Sequence, residues 1–170
     1  MKWILFALTF YMSSSNERVR ENYIDRYKDI AIIEMHRKGV PASIKLAQAI
    51  LESSSGTSNF ARSTNNHFGI KCKSIWKGDT FYHEDDDFNS NGELMKSCFR
   101  SYERVIESYV DHSNFLSSRV YYQQLFYLSP QDYVGWAEGL QKCGYATDQE
   151  YAQKLISIIE REGLSKYDHM

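Results

Sequence analysis

The sequence predicts an α+β chain that is mainly α: a helical domain carrying a small inserted antiparallel β lobe. Three observations predict it. Apolar residues recur at helical spacing in five segments. Glycine, proline and capping residues fall between those segments. One central stretch, residues 65–100, instead mixes aromatic and β-branched residues with turn signals. The 170 residues suit one domain. A net charge of −2 gives no basic field for nucleic acid, and none is expected as a partner.

The N-terminus reads as an export signal over 1–15, followed by a polar linker at 16–22. Lys2 precedes an apolar run from Trp3 to Met12, and small residues Ser13 to Ser15 follow. The run is shorter than the about 20 residues that span a bilayer. An uncleaved anchor or a buried first helix is the alternative. The reading places the protein in the periplasm or outside the cell, without stable membrane insertion, as a monomer.

Tyr23, Ile24, Tyr27, Ile30, Ala31 and Met35 mark the next helix, which Gly39 ends. Pro41 suits the first turn of the following one, since its missing N–H costs nothing there. Ile44, Ala47 and Leu51 form its apolar stripe, while Lys45, Gln48 and Glu52 share a different face. Ser53 to Ser58 stops it, with Gly56 allowing a left-handed turn. Glu52 thus sits at the last turn of a rigid element. A helix C-terminus disfavours a carboxylate, which would hold its proton on.

In the β lobe, Phe68 to Lys73, Thr80 to His83 and Leu94 to Phe99 read as strands, with a turn at Trp76 to Asp79. The acidic run Glu84 to Asp87 lies between the last two. Val105, Ile106, Tyr109, Val110 and Phe115 return to helical spacing. Ser129 and Pro130 are read as cap and first residue of the next helix, with Tyr133, Trp136, Ala137 and Leu140 inward. Thr147 to Glu150 reads as a capping box before a last helix of Tyr151, Leu155, Ile158 and Ile159. Gly163 stops that helix, and 165–170 reads as a loose tail.

Cys72 and Cys98 bracket the β segment, and a disulfide or two free thiols are both open; Cys143 is left over. No zinc spacing occurs. Asp87 to Gly92 fits half of a calcium loop, but Cys98 stands where the bidentate Glu belongs. Neither metal nor cofactor is expected.

Four stretches occur in order: AILESSSGTSNFA (Ala49 to Ala61), NNHFGIKC (Asn65 to Cys72), FRSYERVIESYVDHSNFL (Phe99 to Leu116) and CGYATDQEYAQKLISII (Cys143 to Ile159). Together they resemble the glucosaminidase domain family, glycoside hydrolase family 73, a group of bacterial peptidoglycan hydrolases of the flagellar rod-cap and autolysin type. The resemblance covers about Tyr23 to Leu164. It implies a lysozyme-like catalytic domain at 23–164 acting on a peptidoglycan glycan strand as an endo-β-N-acetylglucosaminidase. Glu52 would be the general acid. The second group would be Glu84 first, Asp85 second, or the substrate's own acetamido oxygen. Tyr145 of Tyr-Ala-Thr-Asp would line the site. Asn66, His67 and Phe68 match the turn after the catalytic helix and, with Asp85, are the substrate-side candidates; Asn66 would also tie that turn together. Thr147 and Asp148 are read as helix caps, and Arg100 as the partner of an acid. A muramidase or lytic transglycosylase on the same fold, and a non-catalytic wall-binding module, are the rival readings.

Overall fold

In a computed structural model, residues 2–73, 76–88, 92 and 94–170 are described; for 2–14 and 85–88 this covers the backbone alone. Helix α1, Lys2–Lys38, includes 16–22, so the expected linker is helical, and Arg20 pairs there with Glu162 at 2.6 Å. Among the described residues, no helix is long and apolar enough to cross a membrane. Gly39, at φ 82°, turns the chain into α2, Ala42–Ser53, which a short helix α3, Asn59–Thr64, follows.

Helix α2 is the axis of the core. Ala42 through Ile50 are all buried, so the apolar stripe and the face bearing Lys45 and Gln48 are both enclosed. A buried ammonium must be bonded. Lys45 donates to the Tyr109 carbonyl (3.2 Å) and to the Ser113 hydroxyl (2.7 Å), and lies 3.1 Å from His112 Nδ1. Those residues belong to α4, Val105–Ser118, so the lysine ties the two helices together. Burial pulls its pKa down to about 7, against the pull of Glu34.

The far end of the chain closes the start of α2. Pro41 offers no side-chain cap. Asp168 accepts from the backbone N–H of Ser43 at 2.8 Å instead, placing a carboxylate at the positive end of the helix. Residues 165–170 are therefore not a loose tail. Leu164–His169 forms a 3₁₀ segment in which Tyr167 and Asp168 are buried. Its apolar anchors, Leu164 and Tyr167, belong to the core, a signal too short to read as periodic.

The β lobe is a two-stranded antiparallel hairpin, β1 (Thr80–Phe88) and β2 (Leu94–Arg100), with Tyr82 opposite Cys98. The strand expected over Phe68 to Lys73 is replaced by irregular chain with a single bridge, Lys71 to Phe99. Asn66 explains this. Its buried side chain donates to the carbonyls of Ile70 (3.0 Å) and Arg100 (2.9 Å) and accepts from the N–H groups of Phe68 and Ile70. The segment is held by a side chain rather than a ladder. Cys72 and Cys98 are joined in a disulfide and Cys143 is a free thiol. Arg100 pairs with Asp111 at 2.6 Å, as expected.

A 3₁₀ segment, Val120–Tyr127, leads to α5 (Tyr133–Lys142) and α6 (Tyr151–Glu162). Trp136, Ala137, Leu140, Leu155 and Ile159 are fully buried. The cap of α5 is Asp132, which accepts from Gly135 N–H at 2.9 Å; Ser129 and Pro130 form the turn before it. Before α6, Asp148 rather than Thr147 accepts from a backbone N–H, that of Glu150 at 2.9 Å. The Asp132 carboxylate also sits favourably at the positive end of α5, whereas α6 starts without a side-chain cap. Replacing Asp168 by Ala removes the cap of α2, and Tm should fall by about 2–4 °C for a loss of about 1 kcal/mol. An unchanged melting curve would show that the C-terminal segment does not hold the helix.

Candidate active site

The end of α2 is set by three consecutive left-handed residues, Ser54 (φ 52°), Ser55 (φ 56°) and Gly56 (φ 73°). Two of them carry side chains, so the turn is strained and its surroundings must hold it. Ser53 does so from beneath: its hydroxyl donates to the Ala49 carbonyl at 2.5 Å and accepts from Gly56 N–H at 2.7 Å. A Cβ on Gly56 would stand 3.1 Å from the His67 ring and 3.2 Å from the Tyr23 ring. Here the glycine serves both conformation and close approach.

Glu52 leaves the helix just before this turn. The residue as a whole is exposed to solvent, while its carboxyl is partly buried against neighbouring side chains. That burial lifts its pKa to about 7. The opposing influence is the Tyr151 hydroxyl, which donates to Glu52 Oε1 at 3.0 Å. Tyr151 in turn accepts from Gln48 Nε2 at 2.9 Å. The expected raised pKa is therefore found, with burial as its leading cause. Tyr151 was legible only as a core residue of the last helix, because the bond to Glu52 joins positions 99 apart. Gln48 carried a signal: it lies one turn before Glu52 on the same face.

The open side of Glu52 faces a groove of about 660 Å³ that also takes in Phe68, Phe99, Tyr122 and Tyr145. Tyr145 stacks on Tyr151 at 5.6 Å and donates a long bond to the Phe68 carbonyl at 3.5 Å. Burial, then the nearby Glu52, push its pKa well above the ordinary phenol value, so it stays a neutral donor. Ring faces of this kind cover the apolar C–H faces of sugars.

Other expected site residues lie elsewhere. Asn66 is committed to its turn and does not line the groove. His67 is buried, shares a 2.7 Å hydrogen bond with Tyr23, and borders a separate cavity with Arg26 and Ser55. Burial drops its pKa to about 4. Phe68 lines the groove, stacked on His112 at 4.1 Å. Glu84 is exposed and sits opposite Lys96. Phe81, His83 and Phe99 meet the Phe60 ring at 6.1, 5.7 and 5.0 Å, so that face of the hairpin turns toward the helical lobe. Alternation gives Tyr82 and Glu84 to the other face. The side chain of Asp85 and most of the half calcium loop lie outside the described residues. Among the described residues, no cluster of three His, Cys, Asp or Glu suits a metal.

Residues 28–164 match the family model described as mannosyl-glycoprotein endo-beta-N-acetylglucosaminidase. The exo-glucosaminidase LytG of Bacillus subtilis is 33% identical over 165 residues, 94% of this chain and 58% of that protein. The peptidoglycan hydrolase FlgJ of Vibrio parahaemolyticus is 30% identical, over 83% of this chain and 47% of its own length. The chain thus spans about half the length of these curated relatives. The catalytic domain of the autolysin Auto from Listeria monocytogenes superposes with a TM-score of 0.74 at 26% identity, covering 88% of this chain and 87% of that one. The glycoside hydrolase domain of Salmonella typhimurium FlgJ gives 0.66 at 28% identity, covering 86% and 91%.

Proposed function

Because this chain belongs to the glucosaminidase family, we propose that it is a glycoside hydrolase that cuts within peptidoglycan strands, at the β-1,4 bond from N-acetylglucosamine to N-acetylmuramic acid. The observation that carries the reading is Glu52: a carboxyl with a pKa raised to about 7, opening onto an aromatic groove from the end of a buried helix. The relatives named for peptidoglycan also support a place outside the cytoplasm, with 1–15 as an export signal.

Glu52, neutral at or below about pH 7, donates its proton to the glycosidic oxygen as the bond to the sugar's C1 breaks. A second group must meet the positive charge growing at C1. Among the described residues, Glu52 is the one carboxylate lining the groove. This favours the substrate's own 2-acetamido oxygen as the attacking group, with the neutral Tyr145 hydroxyl as its hydrogen-bond donor. Glu52, now ionised, takes a proton from the water that completes hydrolysis. Glu84, on the outward face of the hairpin, is the alternative partner.

Muropeptide analysis by mass spectrometry tests both assignments. New reducing N-acetylglucosamine ends are expected; reducing or anhydro-muramic ends would assign the other bond. Glu52→Gln should lower turnover by about a hundredfold or more, the usual contribution of a general acid. Full turnover by that variant would refute the reading. Glu84→Gln should cost less than about tenfold, short of what such a group supplies. Loss as deep as that of Glu52→Gln would return the second role to Glu84.

The pH dependence has a definite sign. A proton donor works when protonated, so turnover should fall as pH rises through about 7. The Tyr151 bond favours the ionised form, so Tyr151→Phe should move this falling limb to higher pH. A limb that stays in place would remove Tyr151 from the control of the acid.

A further inference from the structure

The groove carries charge that Glu52 does not explain. Lys71, Lys73 and Arg119 line it beside that single described carboxylate. Arg119 is the best placed of the three. Its guanidinium lies 4.3 Å from the Phe115 ring centre, and its Nη1 donates to the Tyr121 hydroxyl at 3.1 Å. Phe115 meets Tyr145 edge-on at 6.5 Å, so the cation stands one ring away from the tyrosine beside the acid. No carboxylate among the described residues pairs with Arg119. A stacked, half-buried guanidinium has lost part of its rotational freedom and keeps unused donors in a planar fork, the arrangement suited to a carboxylate.

We propose that Arg119 is a specificity-determining residue that binds a carboxylate of the glycan, so that the groove prefers an acid-bearing strand to a neutral one. The proposal rests on the glycosidase reading above. It selects between substrate classes that the shape of the groove alone does not separate. Chitin-like chains carry no carboxylate. Peptidoglycan carries them in two places, on the lactyl ether of peptide-free muramic acid and on the stem peptide. Either would exchange water for a charge-assisted hydrogen bond at a cation that is already oriented.

The test measures equilibrium binding of Glu52→Gln and Glu52→Gln/Arg119→Gln proteins to equal-length strands of three kinds. These are peptide-bearing strands, peptide-free strands with free lactyl groups, and strands whose carboxylates have been amidated. The expected result is about tenfold weaker binding of acid-bearing strands on loss of Arg119, the scale of one charge-assisted bond. Binding of the amidated strand should not change. Weakening with the peptide-free strand alone assigns the lactyl carboxylate, weakening with the peptide-bearing strand alone assigns the stem peptide, and weakening with both shows a site that takes either. Arg119→Lys, which keeps the charge and loses the fork, should recover part of the affinity. Equal weakening with all three strands would mark a structural residue, and no weakening with any would leave Arg119 without a ligand; either overturns the proposal. Full turnover by Glu52→Gln would instead overturn the glycosidase reading.

Discussion

The enclosure of α2 is the constraint on which the rest depends. A helix buried along nine residues cannot shift without disturbing the whole core, so whatever leaves its last turn is fixed in space. The surroundings reinforce this from three directions. Asp168 caps its start, Lys45 bolts its flank to α4, and Ser53 braces the strained turn at its end. A buried lysine is a costly way to join two helices, since burial works against its charge. What it provides is a bonded register between the helix bearing Glu52 and the helix bearing Phe115, the two sides of the groove.

The same enclosure gives the acid its chemistry. Glu52 is exposed as a residue, but neighbouring side chains crowd its carboxyl, and the hydrogen-bond partner among them is a neutral hydroxyl rather than a cation. A cation in place of Tyr151 would have held the carboxyl ionised. The basic residues of the groove lie along its walls, and none of them pairs with Glu52 among the described residues. A neutral acid at one point and cations further along coexist because the acid's hydrogen-bond partner is Tyr151, which Tyr145 backs, and not one of the cations.

Much of this was legible in the chain. Helical periodicity located the core faces of α2, α5 and α6, and Glu52, Phe68 and Tyr145 do share one groove. What escaped has physical reasons. The irregular stretch after Asn66 has the composition of a strand, but a side chain consumes the backbone groups a ladder would use. Asp132, rather than Ser129, caps α5 because the helix begins at Tyr133 and only that carboxylate reaches Gly135 N–H. Asp168 acts across 125 positions and Tyr151 across 99, beyond any local pattern. Glu84 had the right composition and lies on the outward side of a strand, where one residue of register decides the face.

Glu52 keeps its proton near neutral pH because neighbouring side chains desolvate its carboxyl. The most direct measurement is a carbon-13 NMR titration of the Glu52 side-chain carboxyl in the intact protein. The expected midpoint is near 7. A midpoint at the ordinary glutamate value of about 4.3 would contradict it, leaving the groove with a carboxylate where its chemistry needs an acid.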